Sequence, residues 1–473
     1  MEYSDPAASQ SSRRALQRTL VVAIVIVLLA AGYRVLERGL APAPPAPASP
    51  PLMAAHPSFL YGRVTTVGGT TYEGRLRFGG DEEALWSHYF NGVRKGNPWA
   101  VLVPRERPSE SRREVRLFGL RLSRREPSVD LRRPLMVRFG DIVRIDAVGD
   151  GVRALLEQGI RYAPELRVTL KSGTVVVLDR FSADDFADGV RIWDETHGVV
   201  DLDEGRIRTI EFLPSPKRGE VPDRLYGTVR TRQGSFTGFV QWDRREALSH
   251  DTLVARTADG SLRLAFGDLR AVERHGAVGV LVTLHNGREI AFSGTGPDGR
   301  GYRDLYVDDP RYGRVLVSWE AFERVDFGPS GSGLAYDDFP PGGPLTGRVT
   351  TRDGRRLVGR LVYDLDESET TETLDAPFQG VDYTIPFALI ASVEIPEREA
   401  HARVMLHSGE QLLLERAGDV GAENAGLLVF AEGRERPEYV SWADVARVDF
   451  DQPMTTYPPV DESLAAMAMR SPR

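Results

Sequence analysis

Three glutamates recur at one fixed position of an internal repeat, and they are the residues of this chain best placed to do chemistry. Each follows a glycine by eight residues, and the three are Glu82, Glu246 and Glu367. Asp243 and Asp364 accompany two of them. Carboxylates of this kind serve acid–base catalysis or bind Ca²⁺, although these short acidic turns lack a complete calcium-binding loop. One such residue in every copy is typical of a binding array, and turn capping is the simpler structural role.

Tryptophans also recur in register with the repeat. Trp242 follows Gly238 by four residues, while Trp319 and Trp442 each begin a Trp-x-x-Phe/Val-x-x-Val-Asp-Phe segment. With the three glutamates they form a candidate ligand face, since pockets combine aromatic rings with a few polar groups. Aromatic side chains at fixed repeat positions more often fill a core, and the sequence favours that role.

The local excess of positive charge lies in an insertion, residues 105–133, which contains ten arginines and five acidic residues. Such a segment is suited to contact with anionic lipid, a cell-wall polymer or nucleic acid. The apolar residues between the charges suit a solvated hairpin equally well. The candidates for contact with an anionic partner are Arg112, Arg113, Arg116, Arg121, Arg124 and Arg125.

Composition and motifs exclude several other kinds of site. The chain has no cysteine, so it has no disulfide, no thiol nucleophile and no cysteine-ligated metal. It contains no G-x-S-x-G elbow, no H-E-x-x-H motif and no phosphate-binding P-loop. Residues 294–299 have the spacing G-x-G-x-x-G, but a predicted strand rather than a helix follows them. We therefore predict no catalytic residue, no metal site and no cofactor.

The recurring residues belong to an internal repeat that fills most of the chain. Three segments begin with a glycine and reach a turn glycine seven residues later, at Gly62/Gly69, Gly227/Gly234 and Gly347/Gly354. A second module follows each segment and begins at Val168, Val282 and Val404. The body thus consists of three tandem pairs, about six units of roughly 50 residues or more.

Each unit is patterned as short β-strands. Apolar and polar residues alternate with period two, as in residues 282–284 (VTL), and glycine turns join the strands. A step of period three, such as the Trp-x-x-Phe-x-x-Val of residues 319–325, predicts a single 3₁₀ turn before the last strand. Residues 229–243 (VRTRQGSFTGFVQWD) resemble the opening strand–turn–strand of Sm-like small β-barrels.

The resemblance to Sm-like proteins implies an all-β body of tandem small β-barrels, about six units in three pairs. A six-bladed β-propeller is the alternative architecture, and the short helical turn before each last strand favours barrels. Some Sm-like proteins bind RNA, so the resemblance also raises nucleic-acid binding as a function. The formal net charge of −8 and the serial linkage of the units argue against that function.

The N-terminal region predicts a membrane location. Residues 20–33 (LVVAIVIVLLAAGY) are uncharged and nearly all aliphatic, with arginines on both sides. As a helix they span about 21 Å, so Thr19, Val35 and Leu36 must extend them toward the ~30 Å of a bilayer core. Residues 41–51 (APAPPAPASPP) then form an extended proline-rich spacer. The pattern favours an uncleaved anchor over a signal peptide.

These signals divide the chain into consecutive segments. The predicted segments are an N-terminal cytoplasmic segment 1–18, a transmembrane anchor or signal core 19–36, a Pro-rich linker 37–57, the repeat pairs 58–216, 224–328 and 345–453, and a disordered tail 454–473. The insertion 105–133 belongs to the first pair.

The sequence favours a non-catalytic, membrane-anchored envelope protein whose tandem β-modules bind another protein or an envelope polymer. Residues 20–36 would attach it to the inner membrane, with its body in the periplasm or outside the cell. Export after signal-peptide cleavage is the alternative location. The alternative functions are nucleic-acid binding by the Sm-like units and a carboxylate-dependent hydrolase. The hydrolase requires the carboxylates of one repeat pair to converge in a cleft with raised pKa values.

Overall fold

β-Strands make up nearly all of the regular structure in this chain. The computed structural model describes residues 56–79, 82–86, 88–104, 116–117, 120–121, 134–149, 165–216, 223–257, 260–292, 302–330 and 333–452. Within these residues lie 32 strands, several short 3₁₀ turns and one α-helical turn, Asp184–Ala187. The prediction of an all-β body is therefore confirmed.

In the part of the chain that the structure describes, no helix is both long enough and apolar enough to cross a membrane. The predicted anchor at 19–36, the segment 1–18, most of the linker 37–57 and the tail 454–473 lie outside the described residues. These four assignments stay predictions.

The three repeat pairs contribute their strands one after another. The strands of the first pair are β1 Tyr61–Thr66, β2 Thr71–Phe78, β3 Tyr89–Val93, β4 Arg116–Leu117, β5 Leu120–Arg121, β6 Pro134–Arg138, β7 Ile142–Val148, β8 Glu165–Leu170, β9 Val175–Asp179, β10 Val190–Asp194, β11 Gly198–Leu202 and β12 Ile207–Phe212. Those of the second pair are β13 Tyr226–Thr231, β14 Gly234–Gln241, β15 Thr252–Thr257, β16 Gly260–Ala265, β17 Leu269–His275, β18 Gly279–Leu284, β19 Glu289–Phe292, β20 Leu305–Asp309, β21 Gly313–Val317 and β22 Phe322–Gly328. Those of the third pair are β23 Thr346–Thr351, β24 Arg356–Val362, β25 Thr373–Phe378, β26 Val381–Pro386, β27 Ile390–Glu394, β28 His401–Leu406, β29 Gln411–Glu415, β30 Leu427–Phe430, β31 Glu438–Val440 and β32 Val445–Phe450.

Each repeat pair builds an antiparallel arrangement of eight strands, and the strand order is the same in all three. The orders are β11-β10-β2-β1-β12-β7-β8-β9, β21-β20-β14-β13-β22-β17-β18-β19 and β31-β30-β24-β23-β32-β27-β28-β29. In each case the first strand of the pair is hydrogen-bonded to its last, as β1 to β12, β13 to β22 and β23 to β32. The two modules of a pair therefore share one sheet.

The sheets are open. Among the described residues, the strands at the two ends of a sheet do not pair with each other. The last strand of the second module, β32 for example, lies between β23 and β27 of the first module, so a module does not close on itself. Eight strands in a sheet also exceed the four of a propeller blade, and the structure does not show that alternative.

Short 3₁₀ turns precede five closing strands, as the three-residue period predicts, whereas residues 319–321 before β22 form a turn that is not 3₁₀. The five 3₁₀ turns span Phe139–Asp141, Glu204–Arg206, Phe266–Asp268, Phe387–Leu389 and Trp442–Asp444. Four of these turns begin with an aromatic residue that is buried, so the core holds each turn in place before its strand begins.

The second and third repeat pairs are joined through their backbones. β21 of the second pair is hydrogen-bonded to β26 of the third, with Val315 opposite Tyr383 and Val317 opposite Val381. The hairpin β25–β26 thereby extends the second sheet to ten strands. A single cluster of buried apolar side chains also runs through both pairs.

The core of the first pair is completed by residues from outside it. Tyr336 and Phe339, which lie between the second and third pairs, are 8% and 2% exposed and pack into this core. The Tyr336 hydroxyl donates a hydrogen bond of 2.8 Å to the carbonyl of Ile142. The Lys171 ammonium lies 3.7 Å from the centre of the Tyr336 ring. All three pairs belong to one compact unit.

Candidate functional site: an acidic cavity

The three recurring glutamates occupy the same tight turn in the three repeat pairs. Each is bridged to the aromatic residue four positions before it, as Phe78 to Glu82, Trp242 to Glu246 and Tyr363 to Glu367. In the third pair the two amides donate hydrogen bonds of 2.8 and 3.0 Å to the opposite carbonyls. Main-chain pairing therefore places each glutamate in register with a buried aromatic residue.

This turn needs residues that accept a left-handed backbone. Asp243 and Arg244 have φ angles of 51° and 60°, and Asp364 and Leu365 have φ angles of 47° and 58°. Aspartate tolerates this conformation better than most residues, and Gly79, with a φ of 59°, takes the same place in the first pair. The aspartates that accompany the glutamates are therefore explained by the turn.

A further residue caps the amides of each turn. His88 Nδ1 accepts hydrogen bonds of 2.9 and 3.0 Å from two main-chain amides. The Asp251 carboxylate accepts two of 2.9 and 2.8 Å. The Glu372 carboxylate accepts two more, from the amides of Ser368 and Glu369. Three residue types thus fill one structural role.

One carboxylate oxygen of the recurring glutamate has no hydrogen-bond donor among the described residues in the second and third pairs. Among the described residues, Oε2 of Glu246 and Oε2 of Glu367 are buried and accept no hydrogen bond, although Glu367 as a whole is partly exposed. Burial, with a contribution from Asp243, raises the pKa of Glu246 to about 7. Burial, reinforced by Asp366, raises the pKa of Glu367 well above its usual range. Both acids therefore hold a proton to a higher pH than an ordinary glutamate.

Glu367 lines a cavity of about 140 Å³ between the third and first repeat pairs. The first pair contributes Arg94 and the start of β6, residues 134–136. The third pair contributes Thr373 and six acidic residues, which are Asp364, Asp366, Glu367, Glu372, Asp375 and Asp419. We call this set of residues the acidic cavity. Six carboxyl groups and one guanidinium group thus surround a small space.

Arg94 is the cationic side of the acidic cavity. Its guanidinium lies 2.8 Å from Oδ1 of Asp366 and also pairs with Glu372. The three side chains are 12%, 7% and 9% exposed, so these ion pairs are largely withdrawn from water. The single guanidinium of the cavity is therefore engaged by two of the six acids.

Two further acids of the cavity, Asp419 and Asp375, also have raised pKa values. Asp419 accepts a hydrogen bond of 2.6 Å from the amide of Asp375, yet burial raises its pKa well above the usual range. Burial raises the pKa of Asp375 as well. The acids also act on one another, since Asp366 raises the pKa of Glu367 and Asp375 raises that of Asp419. A cation in the cavity would relieve this repulsion.

The second repeat pair lacks two of these acids. When the pairs are aligned on their 3₁₀ turns, Asp366 corresponds to Arg245 and Asp375 to Val254. The recurring glutamate is therefore a feature of the repeat, while the acidic cavity is a feature of the third pair.

The chemistry of the cavity suits an organic cation. Among the described residues, no group of three or more His, Asp or Glu side chains is arranged to hold a metal ion. A space of about 140 Å³ admits a group the size of an ammonium or a guanidinium. Carboxylates bind both groups through charge-assisted hydrogen bonds.

The tryptophans of the predicted ligand face lie in the core. Trp242, Trp319 and Trp442 are 2%, 7% and 8% exposed. Trp242 packs edge-on against Trp319 with ring centres 6.3 Å apart, and Trp319 Nε1 donates a hydrogen bond of 3.0 Å to the Ala277 carbonyl. These rings stabilise the interior, and each glutamate stands in the turn of its own repeat pair.

The predicted patch for an anionic partner falls mostly outside the described residues, which exclude Arg112, Arg113, Arg124 and Arg125. Arg116 and Arg121 lie opposite each other in the short strands β4 and β5. Contact with an anionic partner stays a prediction.

A larger cleft of about 480 Å³ lies beside β2, β10 and β11 of the first pair. Its lining carries charges of both signs, including Arg77, Arg191, Asp201 and Asp203. Arg191 and Asp201 pair with each other at 2.7 Å. With Asp188, the lining has two arginines and three aspartates, so its charges largely cancel and this cleft selects a charged ligand less strongly than the acidic cavity does.

Sequence reasoning singled out Glu367 and Asp364 but missed Glu372, Asp375, Asp419 and Arg94. Aligning the second and third pairs would have shown the added acid at Asp375. No pattern in the sequence connects Arg94 with the acids that it meets.

No protein-family model matches this chain. A search of curated proteins finds none with significant similarity to it. Its function is therefore inferred from the chemistry of the acidic cavity.

Proposed function

We propose that this protein is a non-catalytic, membrane-anchored binding protein of the cell envelope, whose acidic cavity receives a lysine or arginine side chain of a protein partner. One observation carries the proposal. Glu367 presents a buried carboxylate oxygen that accepts no hydrogen bond from the described residues, in a cavity that it shares with five other acids. A cationic side chain would supply both the missing donor and the missing charge.

Binding of a cation here is coupled to release of protons. Glu367 and Asp419 have raised pKa values, so they keep their protons to a higher pH than ordinary acids. A cation interacts best with their ionised forms and therefore lowers both pKa values. The affinity should accordingly rise with pH until the acids are fully ionised.

The apolar part of the cavity lining suits the stem of a long cationic side chain. Residues 134–136 of β6 are proline, leucine and methionine, and all three line the cavity. Lysine and arginine place their methylene groups against apolar surfaces of this kind while the charged end reaches polar groups.

The envelope location is supported by the sequence. The apolar residues 20–36 suit an anchor in the inner membrane, and the proline-rich residues 41–51 suit a spacer that holds the body away from it. We place the body in the periplasm or outside the cell.

The relation to Sm-like proteins is also part of this proposal. It is supported by the glycine hairpin β13–β14 and by the 3₁₀ turn that precedes β17. In this view each pair is two Sm-like units that share one sheet. A likeness of fold does not carry RNA binding with it, and the acidic cavity repels phosphate.

A carboxylate-dependent hydrolase is the second candidate function. It is favoured by the convergence of acids with raised pKa values in one repeat pair, since a general acid must keep its proton near neutral pH. A hydrolase would release a product, whereas a binding protein saturates without turnover.

Calorimetric titration of the full chain in detergent tests the binding proposal, with Nα-acetyl-lysine methylamide and its arginine analogue as probes. We expect one site per chain for at least one probe, with affinity about tenfold higher at a pH of about 8 than at about 5. Glu367→Gln should weaken binding about tenfold, because Gln cannot supply the charge.

Glu246→Gln is the matched control, because it changes the same turn in the second pair, where Arg245 and Val254 replace two of the acids. It should leave binding unchanged. If neither probe binds, or if the two variants weaken binding equally, the proposal is wrong. Chemical conversion of a bound ester or glycoside by the unmodified chain would favour the hydrolase instead.

A further inference from the structure

Three hairpins stand at equivalent places in the three repeat pairs. They are β3–β6, β15–β16 and β25–β26, and each leads directly into a 3₁₀ turn. Alignment on these turns makes Leu135 of β6, Leu262 of β16 and Tyr383 of β26 equivalent. What covers these three residues can therefore be compared.

In two of the hairpins the residue at this position is buried. Tyr383 is 6% exposed, and its ring packs against Phe236 and Tyr312 of the second pair with ring centres 5.9 and 6.0 Å apart. Leu135 is 2% exposed, belongs to the core of the first pair, and also lines the acidic cavity that the first and third pairs form. The side chain at this position is thus buried in both of these hairpins.

The hairpin of the second pair differs from the other two in the exposure of this residue, since Leu262 is 37% exposed. Among the described residues β16 pairs with β15 alone, as β6 pairs with β3 alone, whereas β26 also pairs with β21. An edge strand with an exposed apolar side chain readily pairs with another strand. The edge of β16 that faces away from β15 therefore corresponds to the edge by which β26 pairs with β21.

A matching acceptor lies in the first repeat pair. β11 ends the first sheet beside β10, as β21 flanks β20 in the second sheet. The registers of these hairpins make Gly198 equivalent to Gly313 and Val200 equivalent to Val315. Within the described part of the chain β11 pairs with β10 alone, and Val199 is 43% exposed.

The third sheet offers a poorer acceptor. Its end strand β31 has three residues. Glu438, which corresponds to Val315, forms ion pairs with Arg355 and Arg434. Charged side chains on an edge strand oppose the addition of another strand, so β11 is the better acceptor.

We propose that β16 of one copy of this chain pairs in antiparallel with β11 of a second copy, in the register by which β26 pairs with β21. That register sets Leu262 opposite Val200 and Arg263 opposite Val199. Arg263 then lies diagonal to Asp201 on one face of the new sheet, where opposite charges attract. Donor and acceptor are different surfaces, so the copies associate head to tail and form a ring or a filament.

Disulfide trapping tests the contact directly, because the chain contains no cysteine of its own. Full-length Val200→Cys and Leu262→Cys chains are purified separately in detergent, mixed and oxidised. We expect a linked species of twice the chain mass. Val358→Cys is the control, since Val358 is 58% exposed and lies on β24, an inner strand of the third sheet. Its mixture with Val200→Cys should give about tenfold less of that species.

Analytical ultracentrifugation of the unmodified full chain provides the second measurement. We expect self-association that Leu262→Lys weakens at least about tenfold, because a charge then replaces the apolar contact. A single-chain species at about 100 μM overturns the proposal. So does cross-linking no stronger than in the control. A disulfide that forms within one chain of the double variant Val200→Cys/Leu262→Cys, without doubling the mass, overturns it as well.

Discussion

Glu246 and Glu367 show how one neighbouring residue changes the character of a repeated acid. Burial is the main cause of the raised pKa of both. In the second pair Arg245 partly offsets that effect, since its charge lowers the pKa of Glu246. In the third pair Asp366 stands at the equivalent position and raises the pKa of Glu367 further. The same turn is therefore a structural feature in one pair and part of a cluster of like charges in the other.

The stability of the second pair should depend on the ionisation of Glu246. In an unfolded chain glutamate titrates near 4.5, while in the folded protein the pKa of Glu246 is about 7. Between these values the folded state binds more protons than the unfolded state, so stability falls as the pH rises. Glu246→Gln removes this effect, and the variant should gain up to about 3 kcal/mol over the unmodified protein above pH 7.

Urea unfolding from acidic to neutral pH measures this effect, with tryptophan fluorescence as the probe. The midpoints of Glu246→Gln and the unmodified chain should coincide at a pH of about 4 and separate as the pH rises. A difference that is constant across this range would contradict the assignment of the raised pKa.

Glycines recur in the second strand of each repeat pair, where that strand lies very close to its neighbour. A Cβ at Gly238 would lie 2.0 Å from the carbonyl oxygen of Asp308 on β20. At Gly74 and Gly359 the corresponding contacts, with the carbonyl oxygens of Trp193 and Phe430, would be 2.0 and 2.2 Å. The repeat therefore keeps a glycine wherever the second strand approaches the backbone of its neighbour too closely for any side chain.

Gly238→Ala should strongly destabilise the second repeat pair, because the backbone of β20 must move to admit the methyl group. We expect a loss of about 3 kcal/mol or more in urea unfolding. Gly328→Ala is the control, since a Cβ there meets nothing within 4 Å. Equal stability of the two variants would show that β14 and β20 are not so close.

At the scale of the whole molecule, the repeat pairs are tied together rather than strung along a chain. β21–β26 pairing joins the second pair to the third. Arg94 joins the first pair to the third through Asp366 and Glu372. The segment around Tyr336 and Phe339 fills the core of the first pair. The surfaces that each pair presents to solvent are therefore decided by its neighbours.

Arg94→Leu tests the tie between the first and third pairs. It leaves two largely buried carboxylates without their cation, so we expect a loss of about 3–5 kcal/mol in urea unfolding. Arg63→Leu is the control, because Arg63 and Glu73 form an ion pair whose side chains are 45% and 42% exposed. Its midpoint should change far less. Equal effects of the two variants would mean that the Arg94 pairs add little to the association of the pairs.

The all-β class, the threefold repeat and the 3₁₀ turns could be predicted from the sequence because they follow from local patterns. Alternation of apolar residues, glycine spacing and the three-residue apolar step each act over a few residues, and only the step at residues 319–325 gave a turn that is not 3₁₀. The recurring Glu367 and its turn aspartate Asp364 were found in the same way.

Contacts between distant residues required the tertiary structure. Sharing of a sheet by two modules joins strands far apart in the chain, such as β23 and β32, which local periodicity does not encode. The acidic cavity likewise brings Arg94 to Glu372 and Asp419 to Asp375 from separate elements. Burial and the sum of neighbouring charges set the pKa values there, and both are properties of the packed chain. Spacing along the sequence therefore determined the repeating unit, and packing between units decided which of its copies lines a cavity.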